Sequence, residues 1–374
     1  MHRPITLVTG ATGKIGRAVV QELLAAGVSV RALVRRPDAR SAALREAGAD
    51  IVEGDLADPE SLIRAMAGVQ RAFYLPPFGL FVAHTAGAFA VAAREARLEH
   101  VVSLSQWLAS PSHPSITTRG HWLAERLLDA LPGIGHTLVN PGFFADNYLR
   151  TLPYAAQLGV LPWLYGDSAN APPSNEDIAR VVAQALQHPE RHAGRSYRPT
   201  GPQLLSARQM QEVIERVVGH RVLRAPLPFW MFMRAARLDG ASIDEIAGLA
   251  HYIQEHRRGT FAMGAPTDHV ADVTGRPAED FETIARRYAA HPAARPGGLN
   301  GLRQLARLMA VPLVPGYDLA ADARRTRAPQ PLQPCLAADA EFWRREHHAP
   351  LAAAAAQEPV AAAPRASSMH RSTR

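Results

Sequence analysis

The chain reads as an α/β fold: a doubly wound parallel sheet with helices on both faces, followed by a smaller, mostly helical C-terminal lobe. Three observations predict it. Short β-branched runs alternate with longer helical patterns over the first 140 residues. A glycine-rich turn joins the first run to the first helix. Past Pro141 the alternation gives way to helices interrupted by Pro and Gly.

The strand-like runs are residues 5–9, 28–34, 50–53, 71–75, 100–104 and 136–140. Between the first two, residues 15–26 place Val19, Val20, Leu23 and Leu24 on one apolar stripe, and Gly27 stands where a helix C-cap belongs. Asp58-Pro59 supplies an N-cap followed by Pro in the first turn of another helix. Beyond residue 140 the pattern predicts helices over 175–187, 206–218, 229–238 and 242–256, with an extended piece at 196–199 returning to the sheet. Domain boundaries follow: 1–140 for the sheet-forming core, 141–290 for the smaller lobe over the strand ends, and 291–374 for an Ala/Pro/Arg-rich tail. Within that tail, 299–309 and 339–347 read as short helices and 351–374 as low-complexity, disordered sequence. There is no internal repeat.

Composition removes several classes of function. The single cysteine, Cys335, excludes a disulfide scaffold and fits a reducing compartment. No apolar run is long enough to span a membrane, and the strand-like segment at 5–9 leaves no room for a signal peptide, so the expected location is the cytoplasm. The formal charge of +7 is uneven: from residue 293 onward there are 11 Arg against 6 Asp plus Glu, leaving the body near neutral. A basic tail on a neutral body is not a nucleic-acid footprint. Lys14 is the only lysine, so Arg carries the positive charge everywhere else and many arginines are there for composition alone.

The turn after the first run reads Gly10-Ala11-Thr12-Gly13-Lys14-Ile15-Gly16, with glycines spaced G-x-x-G-x-x-G. Glycine is needed where backbone must turn sharply and approach a pyrophosphate, whose charge the following helix meets with its free N–H groups and positive dipole end. Set between a strand and a helix inside a βαβ unit, the motif predicts a dinucleotide-binding Rossmann core. An acid about 20 residues further on would bind the ribose 2′-hydroxyl, but the second strand ends Leu33-Val34-Arg35-Arg36. Arg35, with Arg36 or Lys14 beside it, suits a 2′-phosphate, so NADP(H) is expected over NAD(H). Asp55, after the third run, either accepts from the adenine amino group or caps the next turn.

The chain resembles the NmrA-like family of atypical short-chain dehydrogenase/reductases. The resemblance is carried by VTGATGKIGRAVV, VRALVRRPD, EGDLADPESL, NPGFFADNYL, SNEDIARVVAQAL, YRPTGPQLLSARQMQEVI and DVTGRPAEDFETIARRYA, in that order, over about residues 1–290. It implies contacts from Gly10, Thr12, Gly13, Lys14, Ile15 and Gly16 to the pyrophosphate side, from Arg35 to the 2′-phosphate, and from Asp55 and Leu56 to the adenine. Leu75 and Pro76 would lie along the cofactor, with Ser105, Pro141, Gly142 and Phe143 around the nicotinamide. Asn140 departs from the family, which usually has Arg before the Pro-Gly pair.

Typical short-chain dehydrogenases use Ser with a Tyr-x-x-x-Lys pair, whose Lys lowers the Tyr pKa. This chain cannot, since no Lys follows Lys14 and no Tyr lies between Tyr74 and Tyr148. The corresponding helix carries His121 and Glu125 on one face. Two readings stand: a proton donor or ribose ligand at His121, or a solvated i,i+4 pair. Ser105, and after it Gln106, are further candidates. Reducing a simple ketone needs a good acid, whereas a quinone yields a delocalised, weakly basic oxyanion. The expected activity is therefore NADPH-dependent hydride transfer to a quinone-like, azo or similarly activated acceptor. Phe78, Trp107, Phe143 and Tyr148 would line its pocket, with Phe144 reading rather as core packing. The alternative is a non-catalytic NADP(H)-binding redox sensor acting through protein partners, with the tail as the partner element. An epimerase would also need the Tyr-Lys pair, and no metal motif is present. A small-molecule electron acceptor, no nucleic acid, no membrane, and a monomer or homodimer complete the expectation.

Overall fold

A computed structural model describes residues 4–347 of the chain; the stretch 351–374, read above as disordered, lies outside the described residues. The Rossmann half runs β1 (Ile5–Val8), α1 (Lys14–Ala25), β2 (Ser29–Val34), α2 (Ala39–Glu46), β3 (Asp50–Glu53), α3 (Pro59–Ala65), β4 (Arg71–Tyr74), α4 (Val82–Glu95), β5 (His100–Leu104), α5 (Ile116–Asp129) and β6 (Gly135–Val139). Then come α6 (Ala145–Leu149), α7 (Leu152–Leu158), β7 (Val160–Trp163), α8 (Asn175–Gln187), α9 (Pro189–His192), β8 (Ser196–Tyr197), α10 (Ala207–Val218), β9 (Leu223–Pro226), α11 (Phe229–Leu238) and α12 (Ile243–Arg257). The described residues end with α13 (His269–Thr274), α14 (Phe281–Ala289), α15 (Gly298–Ala310), α16 (Leu319–Thr326) and α17 (Glu341–Glu346).

Seven strands form one sheet in the order β3-β2-β1-β4-β5-β6-β8, every neighbouring pair parallel. The doubly wound α/β expectation is borne out. The strand order reverses between β1 and β4, so the crevice at their C-terminal ends is the topological switch point where such sheets bind ligands. Strand alternation sends Val8, Phe73 and Val102 to one face, against α1 and α8, and Leu7, Tyr74 and Val101 to the other, against α3, α4 and α5. All six are fully buried, which is why the strands read as continuous apolar runs.

The second lobe has its own core of Phe143, Tyr148, Trp163, Met210, Ile214, Phe261 and Phe281, closed by a two-stranded parallel sheet of β7 and β9 that the sequence reading missed. Part of the stretch read as a tail belongs to this core. Trp343 of α17 is fully buried, donates its indole N–H to the Trp107 carbonyl at 2.7 Å and stacks on His347. Buried Glu255 accepts from the Ala337 backbone N–H at 2.5 Å, tying the same segment to α12.

Candidate functional site

Thr9, fully buried after β1, donates its hydroxyl to the Phe73 carbonyl at 3.1 Å and accepts from the Leu75 N–H at 2.8 Å, which locks the ends of β1 and β4 together. The chain then turns at Gly10 in the left-handed region (φ +60°), a conformation costly for a residue with a Cβ. The Gly10 carbonyl accepts from Gly13 N at 2.9 Å, and a Cβ on Gly16 would stand 2.1 Å from that same carbonyl oxygen. Helix α1 starts at Lys14 with Gly13 as N-cap, no capping side chain and no acid in its first turn. Its leading N–H groups and positive dipole end are therefore left for something else to satisfy. A tight, side-chain-free cradle at an uncapped helix start fits a dinucleotide's diphosphate.

Arg35 and Arg36, just past β2, are exposed and make no ion pair among the described residues. Asp55 is exposed and accepts from the Ala57 N–H at 2.9 Å, so its turn-forming role is visible, while α3 itself is capped by Asp58. Leu56 is half-buried beside it. Thr12 is half-buried in the loop, and Lys14 extends to the carboxylate of Asp146 in α6. Tyr288 also donates to Asp146, at 2.5 Å.

A cavity of about 390 Å³ opens over the C-terminal ends of β4, β5 and β6. Of the sequence candidates, Lys14, Ile15, Leu75, Pro76, Ser105, Gln106, His121, Pro141, Gly142, Phe143, Phe78 and Trp107 all face it, as does Phe144. One helix start, three strand ends and α5 are thus drawn to one place. Tyr148 is not among them. Stacked on Trp163, it shares a hydrogen bond between its hydroxyl and His256 and accepts from Asn170 at 3.1 Å, and it faces an adjoining cavity.

His121 and Glu125 correct the reading of a solvated pair: at 6% and 3% exposure both are buried. The face of α5 that carries them turns inward, towards β5 and the cavity. Neither His121 ring nitrogen has a partner among the described residues, although the ring borders the cavity. Burial holds its pKa down at about 3, so it is a neutral imidazole at pH 7. Glu125 accepts from the Ser105 hydroxyl; burial, only partly opposed by that bond and by Arg126, pushes its carboxyl up to about 8. Ser105 is thus a cavity hydroxyl backed by a neutral carboxylic acid.

Among the cavity residues that the sequence reading missed are Asp146, Leu249, Tyr252 and Phe261. Tyr252, on α12, donates to Gln106 Oε1 at 2.5 Å, and burial raises its pKa well above the ordinary phenol value. Among the described residues the one cavity phenol therefore arrives from a distant helix, without a lysine to acidify it. Among the described residues no group of His, Cys, Asp and Glu could hold a metal, and no helix is long and apolar enough to cross a membrane.

The NmrA-like family matches residues 3–261. The chain belongs to that family. This NmrA-like protein is 31% identical over 291 residues to the NAD(P)H azoreductase of Xenophilus azovorans, a match covering 76% of this chain and 98% of that one. It is 32% identical over 285 residues to the (4-alkanoyl-5-oxo-2,5-dihydrofuran-3-yl)methyl phosphate reductase of Streptomyces griseus, covering 76% and 97%. Among solved structures, the NADPH-dependent quinone oxidoreductase of Escherichia coli, complexed with NADPH, superposes with a TM-score of 0.65 at 23% identity, over 76% of this chain and 99% of that one. The triphenylmethane reductase of Citrobacter sp. gives 0.66 at 20% identity, over 77% and 100%. These likenesses to solved structures carry the fold.

Proposed function

We propose that this NmrA-like chain is an NADPH-dependent oxidoreductase that reduces a quinone-like or similarly activated acceptor without a Tyr-x-x-x-Lys pair. One observation carries the reading: a single cavity runs from the uncapped start of α1 to the buried polar groups Ser105 and His121. A reducing cofactor held at one end would meet an acceptor at the other. The two curated relatives are both named as reductases, and the azoreductase is named for NAD(P)H.

Gly10, Thr12, Gly13, Ile15 and Gly16 would hold the diphosphate, with Lys14 beside them and neutralised by Asp146. Arg35, exposed and without an ion pair among the described residues, would take the 2′-phosphate, favouring NADP(H) over NAD(H). Asp55 and Leu56 would border the adenine, Leu75 and Pro76 the middle of the cofactor, and Pro141, Gly142 and Phe143 the nicotinamide. When bound, the nicotinamide supplies the hydride. His121, neutral and without a protein partner, would hydrogen-bond whatever fills the cavity, because an unmet buried donor or acceptor costs about 1–3 kcal/mol. Its low pKa makes it a poor general acid, so the proton is better supplied by the Ser105 hydroxyl, which would turn from Glu125 to the acceptor, give up its proton and take the Glu125 carboxyl proton in its place, leaving a carboxylate. A weakly acidic relay suits an acceptor whose reduced form is a stabilised oxyanion.

The test is NADPH oxidation followed with a quinone, an azo dye and a simple ketone. Quinone or azo turnover should exceed ketone turnover; faster ketone reduction would defeat the proposal. Tight NADP⁺ binding with no turnover on any acceptor would put the redox-sensor reading in its place.

A further inference from the structure

A second cavity, of about 600 Å³, abuts the first and takes no part in the chemistry above. Phe78, Asn147, Arg150 and Leu249 line both, so these residues form the partition. The Phe78 ring lies flush on α12, where a Cβ on Gly248 would come within 3.0 Å of it. The outer walls come from α7, β7, α11, α12 and α15, and α15 lies beyond the stretch that the NmrA-like family matches.

We propose that this cavity binds the apolar substituent of an extended acceptor whose reducible ring occupies the first cavity. The inference rests on the reductase reading and adds the substrate class. The first argument is size. Pockets that bury a drug-sized ligand measure roughly 300–1,000 Å³. At about 390 Å³ the first cavity stands near the lower limit, and it must hold the reducing end of a dinucleotide together with the acceptor. An acceptor larger than one small ring overflows, and the adjoining space is behind Phe78.

The second argument is lining chemistry. Trp163, Met231, Phe232, Ala235 and Leu308 give the second cavity an apolar surface. Its four charged wall residues are already engaged. Arg150 pairs with Asp146, Arg307 pairs with Asp239, and Glu245 accepts from Ser242 in the capping box of α12. Among the described residues neither wall arginine is unpaired, which favours a hydrocarbon or aromatic extension over a sulfonate or phosphate. Helices α11 and α15 bury no residue completely, so this wall can yield to chains of different length.

The experiment compares a dimethoxy-methyl-benzoquinone with its decyl-substituted analogue, by calorimetric binding to the full-length protein and by NADPH oxidation. The decyl analogue should bind at least about tenfold more tightly, since each buried methylene contributes about 0.8 kcal/mol. Ala235→Trp, filling the cavity from α11, should abolish that advantage and leave the short quinone's affinity unchanged. Leu308→Trp should do the same from α15, so a folding defect in either variant leaves the other as the test. Equal affinities in the wild type, or an advantage that survives both substitutions, would overturn the assignment. A chain-length advantage in binding with no NADPH oxidation would preserve the cavity's role and remove the reductase reading instead.

Discussion

Replacing Glu125 with glutamine should change how stability depends on pH, in a direction the structure dictates. In the folded chain the carboxyl keeps its proton up to about pH 8, because α5 buries it beside Ser105. The charged groups acting on it are Arg126, whose guanidinium lies 3.5 Å away, Asp129, and Glu346 of α17. In the unfolded chain it titrates near 4.5. Between those values the folded state binds more protons than the unfolded one, so stability falls as pH rises, by about 1.4 kcal/mol per pH unit from this group alone. From pH 5 to pH 8 that is a loss of about 4 kcal/mol. Glu125→Gln keeps the shape and the neutral charge and cannot ionise, so it removes this slope. His100, His121, His251 and His256, all depressed by burial to about 3 or 4, act oppositely, adding stability as pH rises towards 6.5. They are common to both proteins and cancel in the difference. Urea denaturation of both at pH 5, 6, 7 and 8 gives that difference directly. Parallel curves would mean that Glu125 is ionised in the fold, and the relay through Ser105 would fall with it.

Gly16→Ala should weaken NADPH binding by roughly two orders of magnitude in calorimetry, because its Cβ would meet backbone, the Gly10 carbonyl oxygen at 2.1 Å, and the diphosphate cradle would have to open. An unchanged Kd would place the cofactor elsewhere. Arg35→Ser should lower the preference for NADPH over NADH roughly tenfold or more, the worth of a charge-assisted hydrogen bond, with NADH affinity itself nearly constant; equal losses for both nucleotides would show that Arg35 does not read the 2′-phosphate. Trp343→Ala should destabilise the protein by about 3–5 kcal/mol in denaturant melts, since it empties a fully buried site and leaves the Trp107 carbonyl unpaired. A loss below about 1 kcal/mol would mean that the segment around α17 is not part of the core.

The Rossmann half was legible in the chain because its signals are local. Apolar runs buried on both faces, a glycine loop and capping residues act within a few residues of one another. Helices 175–187 and 229–238 were read to the residue, and other boundaries moved by a residue or so, as where Ser206 and Ser242 proved to be N-caps just outside their helices. The candidates Ser105, His121, Phe143 and Phe78 could be named for the same reason, since the resemblance marks the strand ends one by one. What sequence alone could not decide was which groups lose their water. The i,i+4 spacing of His121 and Glu125 is the same on a wet face and a buried one, and only the packing of α5 against its neighbours in the fold makes one imidazole unpartnered among the described residues and one carboxyl neutral. Tyr252 meets Gln106 across 146 residues, and Trp343 meets Trp107 across 236, with no periodicity to announce either. The second cavity likewise exists only where α7, α11 and α15 converge. Short-range order is written in neighbouring residues, whereas desolvation is a property of the assembled fold.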